Sequence, residues 1–189
     1  MSKKNTEEQE APKKSMGREV LEMVVYIAIV ALLTYLLVTY VGQRTVVSGR
    51  SMNPTLEDGD NLITDKISYR FRDPKRYDIV VFPLEDASGK RNLIKRIIGL
   101  PGETVQIIDG EVYINGELLG EQYGAEKIED PGAAKEPITL GADEYFVLGD
   151  NRNNSKDSRS IGPISRDRLI GRAFVRIWPL SDFGILKHQ

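Results

Sequence analysis

Hydrophobic positions divide the chain into two regimes. Residues 23–41 (MVVYIAIVALLTYLLVTYV) form a run of 19 without a charge. As a helix this run spans roughly 28 Å, close to the ~30 Å hydrocarbon core of a bilayer. Tyr26, Tyr35 and Tyr40 include residues near both ends, where aromatic rings favour the interface. The run is longer than the roughly 7–15 apolar residues of a cleaved leader, and Thr39-Tyr40-Val41 is not a small-x-small exit. One uncleaved transmembrane anchor is therefore expected over residues 20–42. Residues 1–19 are polar, mixed in charge and nearly free of bulky apolar side chains, so a disordered tail is expected there.

Beyond Gln43 the apolar positions fall in short runs separated by turn residues, at 45–48, 61–65, 78–83, 92–98, 145–148 and 168–178. One hairpin is nearly spelled out in TVQII-DG-EVYIN. With Asp109-Gly110 as a type I′ turn, Ile107 faces Val112 and Val105 faces Ile114, giving one apolar face. Gly, Pro and Glu dominate between Gly116 and Gly141, which reads as a surface excursion. No helical period stands out beyond the apolar run. The expected fold class is mostly β, a single N-terminal transmembrane helix followed by an antiparallel β-sheet ectodomain over 43–189.

Flanking cations give an orientation. Lys3, Lys4, Lys13, Lys14 and Arg18 precede the anchor, whereas only Arg44 and Arg50 follow closely. The positive-inside rule places the N-terminus in the cytoplasm and the β domain outside, as a single-pass protein of the cell membrane.

Composition narrows the chemistry. Lys+Arg number 26 and Asp+Glu 28, so the net charge is −2 and no basic field points to nucleic acid. The mean hydropathy of −0.32 averages an apolar anchor with a polar remainder. The chain has no cysteine, which excludes disulfides, thiolate nucleophiles and thiolate metal sites. An exported domain without cysteine points to bacterial export. The only histidine is His188, next to the C-terminal residue. A core histidine base or His-rich metal site is thereby removed, and an enzyme here must use Lys, Asp, Glu or Tyr.

Three segments carry candidate chemistry. In Gly49-Arg50-Ser51-Met52-Asn53-Pro54-Thr55-Leu56, a serine sits just past a strand, between a glycine and a proline. That position suits a nucleophile, and it equally suits the start of a turn. In Leu93-Ile94-Lys95-Arg96-Ile97-Ile98, strand alternation places Lys95 with Leu93 and Ile97, and Arg96 with Ile94 and Ile98. Both faces are apolar, so at least one cation is pressed against a core. Desolvation can lower a lysine pKa by up to 3–5 units and make its amine a general base, while a lysine at a sheet edge snorkels to water. The third segment, 149–163, is polar and follows an apolar strand. It offers hydroxyls to orient an amine and Asp/Arg pairs to brace a site, or a solvated loop. Trp178 suits a lipid-facing position and a core position alike.

Together these segments resemble type I signal peptidase, the membrane-bound Ser/Lys peptidase of bacteria, in its compact Gram-positive-like form. The blocks G-x-S-M-x-P-T-L, YDIVVF (77–82), K-R-I-I-G-L-P-G-E and G-D-N-R-x-N-S-x-D-S-R stand in the family's order, and the resemblance covers about residues 20–180. It implies a signal-peptidase/LexA-like fold and hydrolysis of one peptide bond, after a small residue, in exported preproteins. It further implies Ser51 as the acylating nucleophile, Lys95 as general base and Ser155 as a hydroxyl bonded to that lysine. Asp150, Asp157, Arg159 and Arg96 fall where the family braces its site, with Arg96 set to pair with Asp150. The Ser51 backbone N–H is the implied oxyanion donor, and Gly49 stands where some members place a hydroxyl. The short middle insertion implies a reduced second β subdomain. No metal or cofactor is implied, and the implied partners are preprotein signal peptides and the lipid bilayer.

A soluble LexA-like repressor shares this chemistry but needs a DNA-binding domain, which the polar tail cannot form. A specialised relative processing one pilin or conjugation protein would share every block. A tethered, non-enzymatic β module is the remaining alternative.

Overall fold

The computed structural model describes residues 16–87, 89–124 and 126–186. The expected tail over residues 1–15 and His188 lie outside them. Contacts divide the chain into two units between Thr39 and Tyr40.

The first unit holds α1 (Met16–Leu36) and the start of a π-helical turn over Leu37–Val41, which runs on across the boundary. It is helical from the first described residue, Met16, so residues 16–19 are helical rather than part of the expected tail. The most apolar window of Met16–Val41 has a mean hydropathy of 2.4, and none of that window is buried. The helix is long and apolar enough to cross a membrane.

The second unit is built from β1 (Gly42–Val46), β2 (Asn61–Asp65), β3 (Ile79–Asp86), β4 (Gly89–Gly99), β5 (Thr104–Ile108), β6 (Glu111–Ile114), β7 (Glu117–Leu118), β8 (Ile138–Thr139), β9 (Glu144–Leu148), β10 (Ile164–Ser165), β11 (Gly171–Trp178) and β12 (Gly184–Ile185). Two single-turn helices, α2 (Ser68–Phe71) and α3 (Ser158–Ile161), complete it. Among the described residues, one sheet has the order β1-β2-β11-β3-β4-β9-β10, with β12 beside β11. A second has the order β7-β6-β5-β8. The strand pairings among the described residues are antiparallel, as expected.

The β5–β6 hairpin matches its sequence residue for residue. Val105 pairs with Ile114 and Ile107 with Val112, and Asp109 and Gly110 take φ of 50° and 81°. These are the left-handed angles a two-residue type I′ turn needs. The second sheet buries that apolar face against Ile98, Phe146 and Leu148 of the first.

The excursion expected between Gly116 and Gly141 needs correction. It contributes β7, β8 and a 3₁₀ turn, and Ile128, Ala134 and Leu140 are buried in the small sheet's core. Single apolar residues spaced among Gly, Pro and Glu form no periodic pattern, so their burial is set by tertiary packing. Trp178 is 55% exposed and is no core residue.

β4 carries the consequential pair. Leu93 and Ile97 pack with Val80, Phe82, Tyr145, Val147 and Ile164 on one face. On the other, Ile94 joins Met52, Leu56, Leu62 and Val81, while Ile98 joins the small-sheet cluster. Lys95 and Arg96 sit between these apolar neighbours, 2% and 0% exposed.

Candidate active site

Ser51 follows β1 in a tight turn whose flanking side chains are anchored. Met52 and Leu56 are buried in the core, and the Leu56 N–H donates to the Met52 carbonyl at 2.9 Å. Gly49, at φ 86°, takes a backbone angle that side chains rarely adopt, and its N–H donates to Asp58 Oδ1 at 2.7 Å. From the other side Asn151 grips the turn. Its N–H donates to the Ser51 carbonyl at 3.1 Å, and its Nδ2 donates to the Arg50 carbonyl at 3.1 Å. The serine turn is thereby held by a single residue 101 positions beyond Arg50.

Lys95 Nζ lies 2.7 Å from Ser51 Oγ and donates to the Ile94 carbonyl at 2.8 Å. Burial pushes the Lys95 ammonium down from 10.5 to about 8, against the pull of the Asp157 and Asp150 carboxylates. A lysine at about 8 is neutral in roughly one molecule in ten at pH 7, against about one in 2,500 for an unperturbed lysine.

Arg96, one residue on, has the opposite environment. Its Nε donates to Asp150 Oδ1 at 2.8 Å and its Nη2 to Asp150 Oδ2 at 2.6 Å, a bidentate pair with both side chains 0% exposed. Thr55 Oγ1 donates to the same Oδ2 at 2.6 Å, and Arg96 Nη1 donates to the Tyr77 carbonyl at 3.0 Å. Asp157 serves the loop in a similar way. It accepts from the Gly149 N–H at 3.1 Å, from Arg159 Nε at 2.8 Å and from Arg159 Nη2 at 2.9 Å. It also caps α3, accepting from the Arg159 N–H.

Ser155 departs from its implied arrangement. Its Oγ is buried without a hydrogen-bond partner, because Lys95 Nζ is directed at Ser51 Oγ and the Ile94 carbonyl instead. It still borders the site. Any side chain at Gly149 would collide with both Ser155 Oγ and the Ser51 carbonyl. A cleft of about 30 Å³ opens on Ser51 and Lys95, lined by Val46, Val47 and Ser48 on one side and Asn92, Leu93 and Ile94 on the other. A separate cavity of about 750 Å³ around Tyr69 and Arg166 is lined by neither of the two. No cluster of potential metal ligands occurs among the described residues.

A serine oxygen within hydrogen-bonding distance of a buried, depressed lysine can be deprotonated and acylated. A family model described as signal peptidase, peptidase S26, matches residues 20–178. The chain belongs to that family. It is 48% identical to a probable signal peptidase I-2 of Synechocystis sp., over 78% of this chain and 68% of that one. It is 31% identical to signal peptidase IB of Staphylococcus aureus strain COL, over 89% of this chain and 94% of that one. The crystal structure of a signal peptidase I from Enterococcus faecalis V583 aligns at 37% identity, covering 53% of this chain and 97% of that one, with a TM-score of 0.45. Like other S26 peptidases, the protein is a serine endopeptidase, a hydrolase.

Sequence reasoning passed over Thr55, Asn151, Arg152, Glu121 and Tyr123. The first three lie inside the quoted blocks, where their side chains bond to the bracing groups or to the serine turn. Glu121 and Tyr123 lie in a stretch without periodicity, and only a lone aromatic among glycines marked it.

Proposed function

We propose that this S26 peptidase is a membrane-bound enzyme that removes signal peptides from exported preproteins by Ser51/Lys95 dyad catalysis, cleaving after small residues. The observation that carries the dyad is the 2.7 Å approach of Lys95 Nζ to Ser51 Oγ at a lysine 2% exposed. Neutral Lys95 takes the Ser51 proton as Oγ attacks the scissile carbonyl. The Ser51 N–H, which has no acceptor among the described residues, meets the oxyanion. The resulting ammonium protonates the leaving amine, and a water activated by the same lysine resolves the acyl-enzyme. Ser155 Oγ, unpartnered beside the Ser51 carbonyl, is available to Lys95 once Ser51 Oγ is acylated. Asp150, Asp157, Arg159 and Arg96 brace this arrangement.

Substrate docks as an added strand in the cleft between residues 46–48 and 92–94, where backbone groups supply affinity and small pockets supply selectivity. Residues 16–41 anchor the enzyme, with the tail cytoplasmic and the β domain extracytoplasmic. Ser51 is ten residues past Val41, so the chain tethers it close to the membrane face, where the end of a translocated signal peptide emerges. Exposed Val46, Trp178, Leu180, Phe183 and Ile185 suit contact with that surface.

Preprotein processing by Ser51→Ala and Lys95→Ala variants in membranes tests the reading. Both are expected to lose processing while remaining folded, and near-normal cleavage by either overturns the dyad.

A further inference from the structure

Residues 121–124 reach back onto the catalytic loop with two side chains. The Tyr123 ring covers the Arg96 guanidinium, whose Cζ is 3.5 Å from the ring centroid, and Tyr77 packs on Tyr123 at 5.2 Å. Glu121 makes a bidentate pair with Arg152, in which Nη2 donates to Oε2 at 2.6 Å and Nη1 to Oε1. Gly124 lies flat against the same guanidinium, where an added Cβ would approach Arg152 Cζ to 3.1 Å.

From Arg152 the bonds run inward. Its Nε donates to the Gly149 carbonyl at 3.1 Å, and its own carbonyl accepts from Arg159 Nη2, which Asp157 also holds. Gly149 is packed against the Ser51 carbonyl and Ser155 Oγ. Glu121 is thus joined through one arginine to the loop that presses on the serine. Tyr123 in turn covers the buried pair that holds Asp150.

We propose that residues 121–124 form a strap, and that Glu121 and Tyr123 are positioning residues which hold the 149–152 loop in place and screen the Arg96 side of the Ser51/Lys95 site from water. The proposal rests on the dyad reading above. A guanidinium paired at its edge still presents its faces, and an aromatic ring over one face excludes water at a site where cation–π attraction is strengthened by desolvation. The groups facing Lys95 are the Ser51 hydroxyl, the Ile94 carbonyl and the Asp157 and Asp150 carboxylates, the latter two neutralised by Arg159 and Arg96. Lifting the strap admits water and loosens Arg96 from Asp150. Both changes favour the Lys95 ammonium over the amine.

The test is the pH profile of kcat/KM for the full chain in detergent micelles, acting on a peptide that carries a signal-peptide cleavage site. Tyr123→Ala is expected to move the acid limb to higher pH by about half a unit or more. Activity at pH 7 then falls about threefold or more and returns by about pH 9. Tyr123→Phe keeps the ring and is expected to behave as the parent. Glu121→Gln, which keeps an acceptor but loses the charge, is expected to move the limb in the same direction by less. An unmoved limb in Tyr123→Ala overturns the strap, whether its activity is unchanged or lowered equally at every pH. Lys95→Ala, assayed alongside, separates the two readings. If it is inactive while Tyr123→Ala leaves the limb in place, the strap alone falls; if it remains active, the dyad falls and takes the strap with it.

Discussion

The two faces of β4 bury adjacent cations and treat them oppositely. Arg96 receives a carboxylate in bidentate contact, a backbone carbonyl and an aromatic cover, so its charge is matched within the protein. Lys95, equally buried, touches a hydroxyl and a carbonyl but no carboxylate. A buried charge is tolerated when it is paired and hydrogen-bonded, and otherwise the group gives up its proton. Burial thus braces the fold on one face and, in the proposed mechanism, supplies a base on the other. What separates the two roles is the placement of one carboxylate.

The most severe way to break the comparison is to give the Lys95 face a cation that cannot neutralise. Lys95→Arg retains charge and length, but guanidinium stays protonated throughout the working range. A loss of processing of about 10³-fold or more is expected, measured with the same peptide substrate. For the parent, kcat/KM is expected to fall about tenfold per pH unit below about 8, because in the proposed dyad only the amine form accepts the Ser51 proton.

Breaking the Arg96 face is expected to unfold rather than merely inactivate. Arg96→Met strands the Asp150 carboxylate, and Asp150→Asn strands the guanidinium, in a site 0% exposed. Each single change should cost about 3–5 kcal/mol in denaturant unfolding. The double change should cost less than the two together, because neither charge is then left alone.

How much of this was legible in the sequence depended on how local its cause was. The β5–β6 hairpin could be read to the residue because an Asp-Gly turn and two-residue alternation determine it within eleven positions. That at least one of Lys95 and Arg96 would be buried followed from apolar neighbours on the same strand; that both are did not. Which of the two would be paired did not follow, since Asp150 lies 54 residues away; the four motif blocks supplied that expectation, not periodicity. Glu121 and Tyr123 escaped altogether, because they act through contacts 27 to 31 residues distant from a segment with no pattern of its own. The Ser155 arrangement differed because a hydroxyl's partner is chosen by local geometry that a motif does not specify.

The smaller effects sharpen the contrast through stability. A lysine whose pKa falls on folding binds fewer protons folded than unfolded between about 8 and 10.5. Its burial therefore costs stability in full below about pH 8, and the cost disappears as pH rises past 10.5. Lys95→Met, which fills the site without the charge, is expected to raise stability at pH 7 by about 3 kcal/mol, and by little near pH 11. A gain independent of pH would show that packing, not desolvation, sets it.

The exposed end of the same strand offers the mildest comparison. Arg91 pairs with Asp86 at 2.8 Å, as good a distance as Arg96 makes with Asp150, but its side chain is 42% exposed. Lys156 reaches the same carboxylate at 2.7 Å, so Asp86 keeps a partner when Arg91 is removed. Arg91→Ala is expected to cost less than about 1 kcal/mol, shrinking further in high salt. The geometry of an ion pair would then count for little on β4 until its strand carries it out of water. A loss comparable to that of Arg96→Met would mean that pairing, rather than burial, distinguishes the cations of this strand.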